Sequence, residues 1–147
     1  MKWRYAAFLT IATAGLIPAV GRTQVDCVYR RIRVSRVQGA VFDRIGEPIP
    51  NVEVELKRDD KTIATTKTNQ AGEFSIPIGP GTYELNAKAQ GFYPGFAHLD
   101  VGSDLVRAFK PTHLWMIMDV GIQDKCPLTT TSRREFEEAI RNEKQKH

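Results

Sequence analysis

Three histidines, two cysteines and scattered carboxylates are the side chains of this chain that could do bond-making or metal chemistry. His98, His113 and His147 show no His-x-x-x-His spacing, and none accompanies a nucleophile motif. Neither a zinc centre nor a serine or cysteine hydrolase is spelled out by such a pattern. Asp59 and Asp60 are adjacent acids, but Arg58 and Lys61 flank them. A calcium ion wants several converging carboxylates, so this pair reads as a solvated hairpin tip. Asp43 precedes Arg44-Ile45-Gly46 and reads as a turn former, since Asp bonds its own backbone and Gly takes positive φ. No catalytic residue, metal ligand or cofactor is assigned, and the chain is expected not to be an enzyme.

What remains is binding chemistry. Tyr93, Phe96 and Trp115 could stack on a sugar ring or a peptide, and Ile117 shares a strand face with Trp115. Arg30, Arg31, Arg33 and Arg36 form a local basic run. On a strand, Arg31 and Arg33 share one face and Arg30 and Arg36 the other. Two readings stand: a charged edge strand that resists aggregation, or an anion site. With no interleaved aromatics, nucleic acid is not the expected partner.

The first residues read as an export signal. Lys2 and Arg4 precede an uncharged apolar run from Ala6 to Val20, and Ala19-Val20-Gly21 offers small residues for cleavage after Gly21. The rival is an uncleaved anchor, but the run falls short of the ~20 apolar residues of a spanning helix. Asp26 before Cys27 does not suit lipidation. The whole chain carries +4, and without the signal 19 basic residues face 17 acidic ones, a net of +2. The expected product is secreted or periplasmic, with no membrane span after cleavage. In an oxidising compartment Cys27 and Cys126 are expected to pair as a disulfide bracketing the folded region. Such a loop closure stabilises by up to about 4–5 kcal/mol in the chain-entropy model.

The elements that must position these residues are short strands. Val52, Val54 and Leu56 alternate with Glu53, Glu55 and Lys57, the pattern of a strand with one wet face. Val28 to Phe42 reads as strand with a bulge near Ser35. The threonine-rich Thr62–Thr68 segment suits an exposed strand. Phe74 and Ile76, then Tyr83, Leu85 and Ala87, point inward from the next two. Phe96–Val101 is a sixth strand, and His113–Val120 closes the set. Leu114 to Met118 is apolar throughout, so Trp115 and Ile117 need cover from a loop, the tail or another chain. In the tail, Ser132 and Glu135 are spaced for a capping box, and Arg134/Glu138 and Glu137/Arg141 for i,i+4 pairs. Phe136 and Ile140 give that helix a thin apolar stripe. The economical expectation is that it folds back over the Trp115 side.

Several stretches carry a family resemblance. They are Val37–Asp43, Gly46-Glu47-Pro48, Thr68-Asn69-Gln70-Ala71-Gly72-Glu73-Phe74, Gly79-Pro80-Gly81-Thr82-Tyr83 and Gly91-Phe92-Tyr93. In this order they resemble the carboxypeptidase regulatory-like domain. The resemblance implies an all-β, seven-stranded, antiparallel Greek-key sandwich of the transthyretin-like kind, with Tyr83 as the corner tyrosine. The expected division of the chain is a signal at residues 1–21, the sandwich at 28–121 and a charged, helical tail at 128–147. Two enzyme families have related sandwiches. The Tyr-Arg-Gly-Ser ending of hydroxyisourate hydrolases is absent, and Tyr83 and Tyr93 lack the His-x-His partner of intradiol dioxygenases. The expected function is an exported, non-catalytic module making protein or structural contacts at the cell envelope. The alternative is a carbohydrate-binding module using the exposed aromatics. The partner is then an envelope or extracellular protein, or a glycan.

Overall fold

Strands follow wherever apolar residues alternate with polar ones. The computed structural model describes residues 30–102, 112–120 and 126–146. In chain order come β1 (Arg31–Val34), β2 (Val37–Phe42), β3 (Glu53–Arg58), β4 (Lys61–Lys67), β5 (Glu73–Ile76), β6 (Gly81–Lys88) and β7 (Gly95–Val101). Then follow β8 (Leu114–Ile117), β9 (Leu128–Thr130) and the helix α1 (Arg133–Lys144). A five-stranded sheet ordered β1-β7-β6-β3-β4 packs on a four-stranded sheet ordered β5-β2-β8-β9. The seven strands β2–β8 make the expected sandwich, and β1 and β9 add a short strand to each layer. Residues 1–21, where a signal was expected, and Cys27 lie outside the described residues.

The core is what the alternation specifies. Val54 and Leu56 of β3, Leu85 and Ala87 of β6, and Leu99 of β7 are fully buried, and they face Val41, Leu114 and Met116 of the other sheet. Their intervening neighbours stay wet, and Glu55 pairs across strands with Lys88 at 2.9 Å. The Lys88 hydrogen bond holds the Glu55 carboxyl below the ordinary carboxylate range.

Two expectations are corrected at the entry to the sandwich. The stretch from Val28 to Phe42 is not one bulged strand: the chain changes sheets at Ser35–Arg36. Val34 and Val37 are each 1% exposed, and both reach the core because their strands lie in opposite layers. Nor is the sandwich purely antiparallel, since β1 pairs with β7 and β2 with β8 in parallel.

The turns use backbone-seeking side chains. Asp43 Oδ1 accepts the N–H groups of Ile45 (3.0 Å) and Glu47 (2.8 Å). Asn69 Oδ1 repeats this with Ala71 and Glu73, both at 2.9 Å. Each loop then needs a left-handed residue, supplied by Gly46 (φ +87°) and Gly72 (φ +73°). Asp43 is therefore committed to its own loop. Asp59 and Asp60 have φ of 50° and 62°, as a two-residue type I′ hairpin requires. Tyr83 Oη donates to the Gly79 carbonyl at 2.8 Å, the expected corner, and the Arg58 guanidinium lies 4.5 Å from the ring centroid.

The helix does fold back. Ser132 caps it, its Oγ accepting from Glu135 N–H at 3.3 Å. Glu135 does not complete a capping box. Its Oε2 takes the Thr130 hydroxyl at 2.6 Å, and Thr130 Oγ1 accepts the Ser132 N–H at 3.0 Å. Arg134–Glu138 pair as expected at 2.9 Å, while Glu137 pairs with Arg133 at 2.7 Å. The Phe136 ring centroid sits 4.9 Å from that of Trp115 and 4.9 Å from that of Phe42. Arg44 ties the helix down, 2.6 Å from Asp119 and 3.5 Å from Glu143.

Thr68 joins two loops from inside. Only 4% exposed, it donates through Oγ1 to the Ile49 carbonyl at 2.8 Å and accepts from Val52 N–H at 2.9 Å. Thr68→Val keeps the shape but leaves both backbone groups unpaired, and should cost about 1–3 kcal/mol in urea unfolding. An unchanged midpoint would show that the cross-link adds nothing. Removing the helix anchor is the second check. Phe136→Ala should lower stability by about 2–4 kcal/mol, below a full core loss because the site is at the surface. Trp115 emission should shift to the red as its ring meets water. Deleting residues 132–147 should do the same and also promote self-association in sedimentation.

Candidate partner-binding surface

The four residues expected to form a binding surface fall at three separate places. Phe96 stands on the outer face of β7, edge-on to His98 with ring centroids 5.0 Å apart. Tyr93 is half-buried in the β6–β7 loop, where its N–H donates to the Asp119 carbonyl at 2.8 Å. Trp115 is under Phe136 on the opposite sheet, and Ile117 beside it is only 6% exposed. Trp115 and Ile117 thus belong to the helix seat. No ring stacking joins Tyr93, Phe96 and Trp115 among the described residues, whereas a sugar platform needs rings set together on one exposed face.

What the fold does assemble is a groove on the β1/β9 side of the sandwich, with a volume of about 580 Å³. One wall is Arg30, Arg31 and Arg33, placed by the edge strand β1. The other runs from Cys126 through the hydroxyl residues Thr129–Ser132 to Glu135. Thr129 Oγ1 donates to the Phe96 carbonyl at 3.3 Å, closing the corner between the sheets. The arginines are exposed, and Arg33 has only a loose contact with Asp100 at 3.9 Å. The basic run was legible in sequence. The hydroxyl wall was missed, because Thr129–Ser132 is distant in sequence and comes into place only through β9. A run of four hydroxyl residues ending in the helix cap was the available signal.

Cys126 borders this groove. Cys27, the only other cysteine, lies outside the described residues.

The described histidines do not converge. His98 Nδ1 is 3.9 Å from Glu84 on the five-stranded sheet. His113 sits on the four-stranded sheet, its ring centroid 4.4 Å from that of Trp115. It borders a hollow of about 370 Å³ with Lys67, Glu73 and Ser75. His147 is outside the described residues. Among the described residues no three His, Cys, Asp or Glu side chains gather as a metal site. No helix among them is long and apolar enough to cross a membrane.

His113 Nε2 is buried without a hydrogen-bond partner among the described residues. Burial pushes its pKa below the ordinary 6.5, with the Glu73 carboxylate pulling the other way. The unfolded chain therefore takes up a proton on acidification that the folded chain resists. Stability should fall as pH drops through 6.5 and level off below the folded pKa. Urea midpoints between pH 8 and pH 5 should show this slope, and His113→Gln should flatten it. The Glu55 contribution is lost only at lower pH, as the pH falls toward that carboxyl's depressed value, so the two windows separate. An unchanged slope in the variant would assign the effect elsewhere.

Comparison with known proteins draws these features together. The model of the carboxypeptidase regulatory-like domain matches residues 36–110. Over 55 residues the chain is 44% identical to carboxypeptidase M of Mus musculus, a match spanning 37% of this chain and 12% of that protein. The 5-hydroxyisourate hydrolase of Klebsiella pneumoniae is similar in structure with a TM-score of 0.48 at 22% identity, covering 65% of this chain and 96% of that one. The matched half of the chain runs from the start of β2 through the Asp43 and Asn69 loops and the Tyr83 corner to beyond β7. The chain belongs to the carboxypeptidase regulatory-like domain family.

Proposed function

We propose that this protein is an exported, non-catalytic module that acts through protein contacts at the cell envelope. The observation that carries the reading is the arginine-walled groove on the β1/β9 side of the sandwich. It joins an edge strand, exposed cationic side chains and a row of hydroxyls. That combination suits binding through backbone groups and charge. Trp115, the strongest stacking residue, is taken up by Phe136, so the carbohydrate alternative has lost its best platform. Export is supported by the Lys2/Arg4 and Ala6–Val20 pattern. A Cys27–Cys126 disulfide belongs to the same proposal, since it would tie the lead-in of β1 to the segment before β9.

The test has two parts. Intact mass of the protein recovered from the exported fraction should correspond to residues 22–147, two hydrogens lighter than the reduced form. An uncleaved chain in the cytoplasm, or two free thiols, would overturn the export half. A photo-cross-linking residue at Arg31 in living cells should trap discrete protein adducts, while one at Lys61 on the opposite edge should not. Equal labelling at both positions, or glycan adducts alone, would overturn the contact half.

A further inference from the structure

The open edge of β1 limits what the partner can be. β1 is the terminal strand of its sheet, with β7 on one side and no strand paired on the other among the described residues. Such an edge presents unpaired N–H and C=O groups in a row. Arg31 and Arg33 are two residues apart on one face, in register with His98 and Asp100 of β7. Arg30 extends the charge. Facing them is the hydroxyl wall at the start of α1, where helix geometry also favours negative charge. Glu135, the only carboxylate lining the groove among the described residues, already accepts the Thr130 hydroxyl.

Resting on the protein-contact reading above, we propose that β1 accepts an acidic, extended segment of a partner protein as an added strand. Backbone groups of β1 pair with it, and Arg31 and Arg33 bind carboxylates on alternate residues. The alternation follows from the pleat: side chains two apart on β1 meet side chains two apart on its neighbour. Arginine suits the task because its planar fork binds carboxylate with two parallel hydrogen bonds. A second copy of this chain is the wrong occupant. Edge-to-edge pairing of two β1 strands would set arginines against arginines, and like charges directly opposite destabilise a ladder. The charge that blocks self-pairing is thus the charge that selects the guest. Strand addition at a free edge is a known mode of peptide recognition, with main-chain bonds giving affinity and alternate side chains giving specificity.

The probe is a labelled synthetic peptide with a (Glu-Val)₃ core, titrated against the full mature chain by fluorescence anisotropy. Saturable binding is expected, weakening with added salt. Arg31→Glu/Arg33→Glu should lower affinity at least tenfold with an unchanged thermal midpoint. Methylating alternate backbone nitrogens of the peptide should also lower affinity about tenfold, because the charges remain but ladder bonds are lost. The (Lys-Val)₃ peptide should not bind. The proposal is overturned if the double variant binds normally, if the methylated peptide binds as well as the parent, or if the parent peptide does not bind. Inorganic polyphosphate competing equally well with both peptides would reduce the site to charge alone, which also overturns it. If the peptide fails while Arg31 still cross-links to protein in cells, only the strand-addition inference falls.

Discussion

The parallel pairing of β2 with β8 is the contact on which the second layer of the sandwich depends. β2 lies between β5 and β8, and β9 joins this sheet by pairing with β8. The approach is close at Gly39: a side chain there would place its first carbon 2.2 Å from the Leu114 carbonyl oxygen. Any residue larger than glycine would push the strands apart where the ladder starts. The pairing continues beyond the strand, with Met118 N–H donating to the Phe42 carbonyl at 2.9 Å. Without this ladder β8 and β9 have no support, and neither the helix seat nor the hydroxyl wall of the groove would exist.

The same ladder creates a problem that the tail solves. Leu114, Met116 and Met118 fill the core, so Trp115 and Ile117 point out of the sheet beside Phe42. One aromatic ring, Phe136, covers them, and the rest of the helix is polar enough to face water. Arg44 completes the seat from the β2–β3 loop by meeting acids of both Asp119 and Glu143. Packing therefore fixes where the helix lies, while the ion pairs orient it.

How much of this was readable from the chain depends on the distance over which each feature is encoded. Val52/Val54/Leu56 and Tyr83/Leu85/Ala87 specify their own inward faces, and the Asp43 and Asn69 loops declare themselves within five residues. The need to cover Trp115 was also local, because an apolar run without alternation states it. The sheet change at Ser35–Arg36 was not readable. Two valines three residues apart, both turned to the core, look the same in a bulged strand as in a chain crossing between layers. β9 is three residues long and has no period to detect. Thr68 was hidden among exposed threonines, although its hydroxyl spans two loops. The groove needed both Arg30–Arg33 and Thr129–Ser132, which only the finished topology makes neighbours. The sandwich itself could be read from local pattern, and the candidate site only in half.

The order of elements along the chain gives the docked helix a further meaning. β8 precedes α1, so a chain emerging from its amino end presents the Trp115 face before its cover exists. During that interval the layer consists of β5, β2 and β8, with the Trp115 side bare and the edge of β8 not yet paired with β9. Exposed strands of this kind are where nascent chains associate wrongly. The parallel β2–β8 ladder makes the interval longer, because it joins segments from distant parts of the chain and such pairings form slowly. The helix is thus a late-arriving shield, and the vulnerable state of this protein is a nearly complete one.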